Sequence, residues 1–221
     1  MYFITTIDKK ILNKCKNEAL SLSSKLLGKL FFDFDEKFFN IISNSKIRPK
    51  IFDLINTNIS LQGLNYIVWQ NLEKKFKKRF INWTFPHIRI DGKFSKKYSA
   101  PIHRDEWILD PNRKGYIAWF PLTKNGGSLL VSKRKKLNKV IRDKHWGLKC
   151  DDKNIIFEKV NIKYGQMLIF DSKTIHQSVT GENRISAQFR YEVFDKNFRK
   201  RSHKQVVDQS VQEYWLKKYN T

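Results

Sequence analysis

The chain has 221 residues, of which 40% are hydrophobic and 14% aromatic, enough for a packed core and too apolar for a disordered chain. Its 44 Lys and Arg against 21 Asp and Glu give a net charge of +23, which points to anionic partners (nucleic acid, an acidic surface, a phosphorylated or carboxylated small molecule) or to plain solubility. No run of about 18 apolar residues offers a membrane span, no secretory leader is visible in residues 1–8, and Cys15 and Cys150 make neither a disulfide framework nor a zinc spacing, so a reducing, cytoplasmic setting is expected.

From about residue 8 to residue 80 the apolar positions recur at helical spacing. Ile11, Leu12, Cys15, Ala19, Leu20 and Leu22 form one such run, and residues 60–69 lead into Leu72 and Phe76 in another. The second run ends on Lys74, Lys75, Lys77, Lys78 and Arg79, a basic last turn that suits the negative end of a helix dipole and reads as a solvated face. After Pro86 the texture changes to short strands: 87–92, 115–122, 126–131, 164–171 and 185–194, separated by turn residues and with no helices between them. This pattern predicts an antiparallel sandwich or barrel. Residues 204–219, with Val206, Val207, Val211 and Trp215 on one side, read as a closing helix. The whole is expected to be one domain, 1–221: mostly helical support over 1–85, a β core over 86–195, and a C-terminal helix over 196–221.

His103 and Asp105 are the residues that carry chemistry. Two positions apart in extended backbone, they point to the same side, so an imidazole nitrogen and a carboxylate oxygen can converge on one cation. A third ligand from another strand would complete a two-His, one-carboxylate triad, a set that suits ferrous iron and leaves coordination positions open. His176 follows the strand ending at Phe170-Asp171, and Gly181-Glu182-Asn183 reads as a hairpin turn after it, which brings position 176 diagonally near 184. On the returning strand Arg184, Ser186, Gln188 and Arg190 share one face and Ile185, Ala187 and Phe189 the other. The polar face either meets solvent or lines a polar interior, and a metal site requires the interior.

The stretch Pro101-Ile102-His103-Arg104-Asp105-Glu106-Trp107, then Tyr116-Ile117-Ala118-Trp119-Phe120-Pro121-Leu122, Gly165-Gln166-Met167-Leu168-Ile169-Phe170, His176 and Arg184-Ile185-Ser186 resembles the Fe(II)/2-oxoglutarate-dependent oxygenases, and among them the phytanoyl-CoA dioxygenase-like branch. The resemblance runs over about residues 86–195. It implies a mainly β fold, a double-stranded β-helix (jelly-roll, cupin-like) core with flanking helices. It implies Fe(II) held by His103, Asp105 and His176, with 2-oxoglutarate and O2 as cosubstrates. It also implies that Arg184 pairs with the distal carboxylate of 2-oxoglutarate, helped by Ser186, with Arg190 the alternative for that role. Arg suits it because a buried carboxylate needs a planar donor fork. Such an enzyme releases succinate and CO2 and hydroxylates, or otherwise oxidises, a small and, on the charge, anionic metabolite.

Two other readings compete. A nucleic-acid demethylase similar to the AlkB type would share the His-x-Asp and distal His, and the paired Arg184 and Arg190, and would use the positive charge to track phosphates. A basic cupin-like binding module would have no enzymatic role for the triad. Trp119 and Tyr116 are expected in the core and Trp107 near the metal motif. Arg89 sits on an alternating strand that could turn it inward. His87, His145 and His203 have no partner at ligand spacing and are expected to be structural or superficial.

Overall fold

The helical front forms where polar side chains can close the ends of each helix. In a computed structural model, which describes residues 2–43, 48–56, 58–82, 86–92, 102–105, 114–133, 141–142, 148–149, 155–179 and 181–194, it comprises α1 (Lys9–Leu27), α2 (Glu36–Ser43), α3 (Arg48–Asn56) and α4 (Ile59–Phe76). Asp8 caps α1 by accepting from the Lys10 N–H at 2.7 Å, and Gly28 ends it in the left-handed conformation (φ 61°), where a side chain would be strained. Asn58 caps α4 by accepting from the Leu61 N–H at 2.8 Å, while its own amide donates to the Cys15 carbonyl at 2.8 Å. Glu18 of α1 accepts from the Ile59 and Ser60 N–H groups. The two long helices are therefore tied together at the start of α4 by the same side chains that satisfy its orphan donors.

Behind them lies a six-stranded antiparallel sheet. Its strands are β1 (Tyr2–Thr6), β2 (Phe80–Asn82), β3 (His87–Asp91), β4 (Gly115–Pro121), β9 (Gln166–Asp171) and β11 (Arg184–Val193), in the order β1-β9-β4-β11-β2, with β3 also on β11. A second antiparallel sheet has the order β10-β5-β8, from β5 (Gly127–Ser132), β8 (Phe157–Ile162) and β10 (His176–Ser178). β6 (Ile141–Arg142) and β7 (Leu148–Lys149) make a separate short pair.

The alternation of β11 divides the molecule into two apolar layers. Ile185, Ala187, Phe189 and Tyr191 join Leu12, Phe38, Leu64 and Leu72 in the layer between helices and sheet. Ile117, Trp119, Leu168 and Phe170 of the larger sheet meet Leu129, Val131, Val160 and Ile162 of the smaller one in the layer between sheets. Register puts Arg190 beside Ile117 and Gln188 beside Trp119, so the polar face of β11 is turned into the space between the sheets. Nine of its ten residues are buried, so that face does not meet solvent.

The helical front and the antiparallel strands agree with the sequence pattern. The expected hairpin does not form: Gly181 stands in a turn, but β10 pairs with β5 and β11 with β2, β3 and β4, so the chain crosses there from one sheet to the other. β1, over Tyr2–Thr6, adds to the helical reading of residues 8–80 an edge strand antiparallel to β9. The expected C-terminal helix, Trp107, His145, Cys150 and His203 lie outside the described residues. Among the described residues no helix is long and apolar enough to cross a membrane.

Candidate metal centre

β10 carries His176 into the gap between the sheets, and the segment 102–105 comes alongside its free edge. The backbones of His103 and His176 exchange two hydrogen bonds, of 3.1 and 3.0 Å, which form an isolated antiparallel bridge. Paired residues across such a bridge share a face, and the two imidazole rings lie 4.2 Å apart, centre to centre. Asp105, two positions on, turns its carboxylate to the same point. One ligand atom from each of His103, Asp105 and His176 falls within 4.8 Å of the others, a group that could hold a metal ion.

Two further details fit a cation. Nδ1 of His176 lies 3.0 Å from the Thr174 carbonyl oxygen, which fixes it as the donor and leaves the Nε2 lone pair for a ligand role. Asp105 is fully buried, and its Oδ2 accepts no hydrogen bond while lying 3.4 Å from His176 Nε2. A buried carboxylate oxygen with no donor is costly unless something positive occupies the space beside it.

Arg190 controls the other oxygen: its Nε donates to Asp105 Oδ1 at 3.2 Å, and its Nη2 lies 3.2 Å from the same oxygen. Burial raises the carboxyl pKa, but the Arg190 charge, followed by the two imidazoles, reverses this and brings Asp105 down to about 2. His176 is pushed below its ordinary value, first by burial and then by Arg190 and Arg89, with Asp105 opposing. At neutral pH the site therefore offers an ionised carboxylate and a neutral imidazole, the forms a metal takes.

A second polar cluster occupies the turn end of β11. Arg184, fully buried, donates through Nε (3.1 Å) and Nη2 (2.9 Å) to Asp91 Oδ2, and through Nη1 to the Ser128 carbonyl and to Glu182 Oε2 at 3.2 Å. Its guanidinium lies 5.4 Å from the Trp119 ring. Gly127 makes room: a Cβ there would come within 3.0 Å of Arg184 Cδ and 3.1 Å of the Trp119 ring. Ser186, two positions on and on the same face, has a buried hydroxyl with no hydrogen-bond partner. Thus the six predicted site residues divide into two groups, with Arg190 beside the triad and Arg184 and Ser186 nearer the turn.

The chain has the fold of the apo form of ThoJ, a non-heme monooxygenase (TM-score 0.51, 11% identity, 99% of this chain and 94% of that one). It is similar also to AviO1 from Streptomyces viridochromogenes Tue57 (TM-score 0.50, 14% identity, 91% and 92% covered). A weaker likeness is to EvdO2 from Micromonospora carbonacea var. aurantiaca complexed with 2-oxoglutarate (TM-score 0.42, 15% identity, 94% and 100% covered). No family profile matches the sequence, and no curated protein is similar to it.

β3 adds to the site, and its Arg89 faces inward as the alternation of the strand allowed. Register sets His87, Arg89 and Asp91 opposite Gln188, Ser186 and Arg184, all on the inward face. His87, expected to be structural or superficial, stands among the site's charges: burial first, then Arg190 and Arg89, hold it well below the ordinary imidazole value, with Asp105 opposing. The signal was present as a strict alternation of His87, Arg89 and Asp91 with Ile88 and Ile90. Asp91 and Glu182 carry no motif and became visible only as partners of Arg184.

Proposed function

We propose that this protein is an Fe(II)- and 2-oxoglutarate-dependent oxygenase of a small, anionic molecule, with its two sheets forming the jelly roll of the phytanoyl-CoA dioxygenase-like branch. The observation that carries the reading is the donor-less, buried Asp105 Oδ2, set 3.4 Å from His176 Nε2 with His103 in the same group. Two imidazoles and one carboxylate are a non-heme ferrous donor set. Iron held by these residues would couple O2 to the oxidative decarboxylation of 2-oxoglutarate, giving succinate, CO2 and an oxidised substrate.

The chain's own residues have distinct tasks in this reading. Thr174 orients His176, and Arg190 both aims Asp105 and keeps it ionised. Arg190 sits on Asp105 beside the metal ligands, whereas Arg184 lies farther along the strand with the unpartnered hydroxyl of Ser186 beside it, so Arg184 is the better anchor for the distal carboxylate of 2-oxoglutarate, a role in which it would exchange one of its present partners. Ile117, Trp119, Leu168 and Phe170 keep water from the interior. Arg89, the third inward guanidinium, favours a substrate with a carboxylate or phosphate.

Anaerobic addition of Fe(II) or Mn(II) with 2-oxoglutarate tests the proposal. At 100 times its Kd the bound pair should stabilise the protein by about 2.7 kcal/mol, and succinate should form once O2 is admitted with Fe(II). His176→Ala or Asp105→Ala should keep the fold and lose both effects. If the wild type gains no stability and releases no succinate, the basic binding module is the better account.

A further inference from the structure

The turn between β10 and β11 contributes a carboxylate to the position where a ligand's carboxylate would bind. Glu182 Oε2 receives two donors, the Arg184 Nη1 at 3.2 Å and the Ser128 N–H at 3.1 Å. Its other oxygen lies 3.2 Å from Lys159 Nζ. Asp91 takes the Nε and Nη2 side of the same guanidinium. The two carboxylates on Arg184 differ in kind. The Asp91 side chain is 3% exposed and bound through two charge-assisted contacts, whereas the Glu182 side chain is 29% exposed, on a turn, and touches the arginine once. Gly181, at φ 84°, adopts a left-handed conformation immediately before it. An arginine N–H converging with a backbone N–H on one oxygen is the donor set a diacid's free end needs.

We propose that Glu182 is an internal competitor of the cosubstrate: it occupies the end of Arg184 that the distal carboxylate of 2-oxoglutarate takes, and swings out on its turn when the cosubstrate binds. Lys159, 51% exposed, holds it in the resting position. This rests on the assignment of Arg184 above, and it sets the affinity for the cosubstrate by a contact that lies outside the metal site.

The test is calorimetric titration of 2-oxoglutarate into the full-length, Mn(II)-loaded protein without O2, for wild type, Glu182→Gln and Lys159→Met. Gln keeps one oxygen to accept from the Ser128 N–H and removes the charge, together with the acceptor that faces Lys159. Oxalate, which chelates a metal with the same total charge but has no distal carboxylate, is titrated in parallel. Glu182→Gln should bind 2-oxoglutarate about two- to fivefold more tightly, the range of a partly exposed ion pair, and oxalate unchanged. Lys159→Met, a surface change that leaves Glu182 and Arg184 in place, should shift 2-oxoglutarate the same way by less. If Glu182→Gln binds 2-oxoglutarate no better than wild type, Glu182 is a clamp that positions Arg184 and the inference is wrong. It is equally wrong if oxalate tightens as much, since that would be a general field effect. No saturable binding of 2-oxoglutarate to the wild type would remove the oxygenase reading itself, a distinct result.

Discussion

Arg190 and Arg184 sit six positions apart on one face of one strand, yet their partners give them different work. Arg190 donates its Nε–H to one oxygen of Asp105, with Nη2 in ion-pair contact with the same atom, while the second oxygen accepts nothing. That leaves one lone-pair-rich atom aimed at His176 and a charge that burial alone would have neutralised. Arg190→Gln should therefore weaken metal binding by about 10- to 100-fold, the usual cost of losing a partner that orients a ligand. Without the guanidinium, burial prevails and the Asp105 carboxyl rises, so the loss should grow as pH falls. Arg190→Lys should restore the pH profile better than the affinity, because Lys returns the charge without the planar fork. Titration of Co(II) at several pH values reads both quantities. An affinity that drops equally at every pH would mean that Arg190 acts by shape alone.

At the scale of elements, position follows from shared caps and alternation. Asn58 is the clearest joint: it caps α4 and ties it to the Cys15 carbonyl of α1 in one side chain. Asn58→Ala removes both contacts from a fully buried position and should cost about 1–3 kcal/mol in urea unfolding. A cost under a few tenths would show that packing of Leu61 and Leu64 holds the helix start unaided. Elements of this kind were legible in advance wherever a residue's own neighbours decide its state. The period of α1 and α4, the turn at Gly181 and the two-faced pattern of β11 all depend on residues close in sequence, whereas the pairing of β10 with β5 rather than with β11 does not. β1 was not legible, because Tyr2–Thr6 becomes a strand by pairing with β9 some 160 residues later. β8 was hidden for a related reason: Glu158, Lys159 and Asn161 are exposed on it, and only Val160 and Ile162 turn inward. In the candidate site the spacing of His103 and Asp105 suggested a shared side, and folding brings the two together with His176. The role of Glu182 could not be read in advance, since a glutamate after a turn glycine has no signature until Arg184 is folded against it.

The whole molecule separates its charge by location. The lysines that raise the net charge to +23 include Lys9, Lys10, Lys14, Lys25 and Lys29 of α1 and its flanks and Lys74, Lys75, Lys77 and Lys78 at the end of α4, all exposed. Between the sheets Arg184 and Arg190 are ion-paired with Asp91 and Asp105, with Arg89 and Glu182 beside them at partly exposed positions, while the lysines named above face solvent. The interior also holds two histidines, His87 and His176, that burial and the arginines keep neutral. Their sign is clear: an unfolded histidine takes a proton near 6.5, whereas the folded protein resists it to lower pH, so below 6.5 the unfolded state binds more protons. Stability of the metal-free protein should thus fall as pH drops below about 6.5, by up to about 1.4 kcal/mol per pH unit for each histidine. Asp105 adds nothing in that window. Its folded value is about 2 against an ordinary 3.8, so the stability it contributes is lost only as pH falls toward 2. Urea unfolding at about pH 5 and about pH 7.5 should show this slope, and His87→Gln should remove one histidine's share of it while leaving the triad intact. A wild-type protein equally stable at both values would mean that these rings are solvated well enough to charge in place, and that the space between the sheets is wetter than its lining implies.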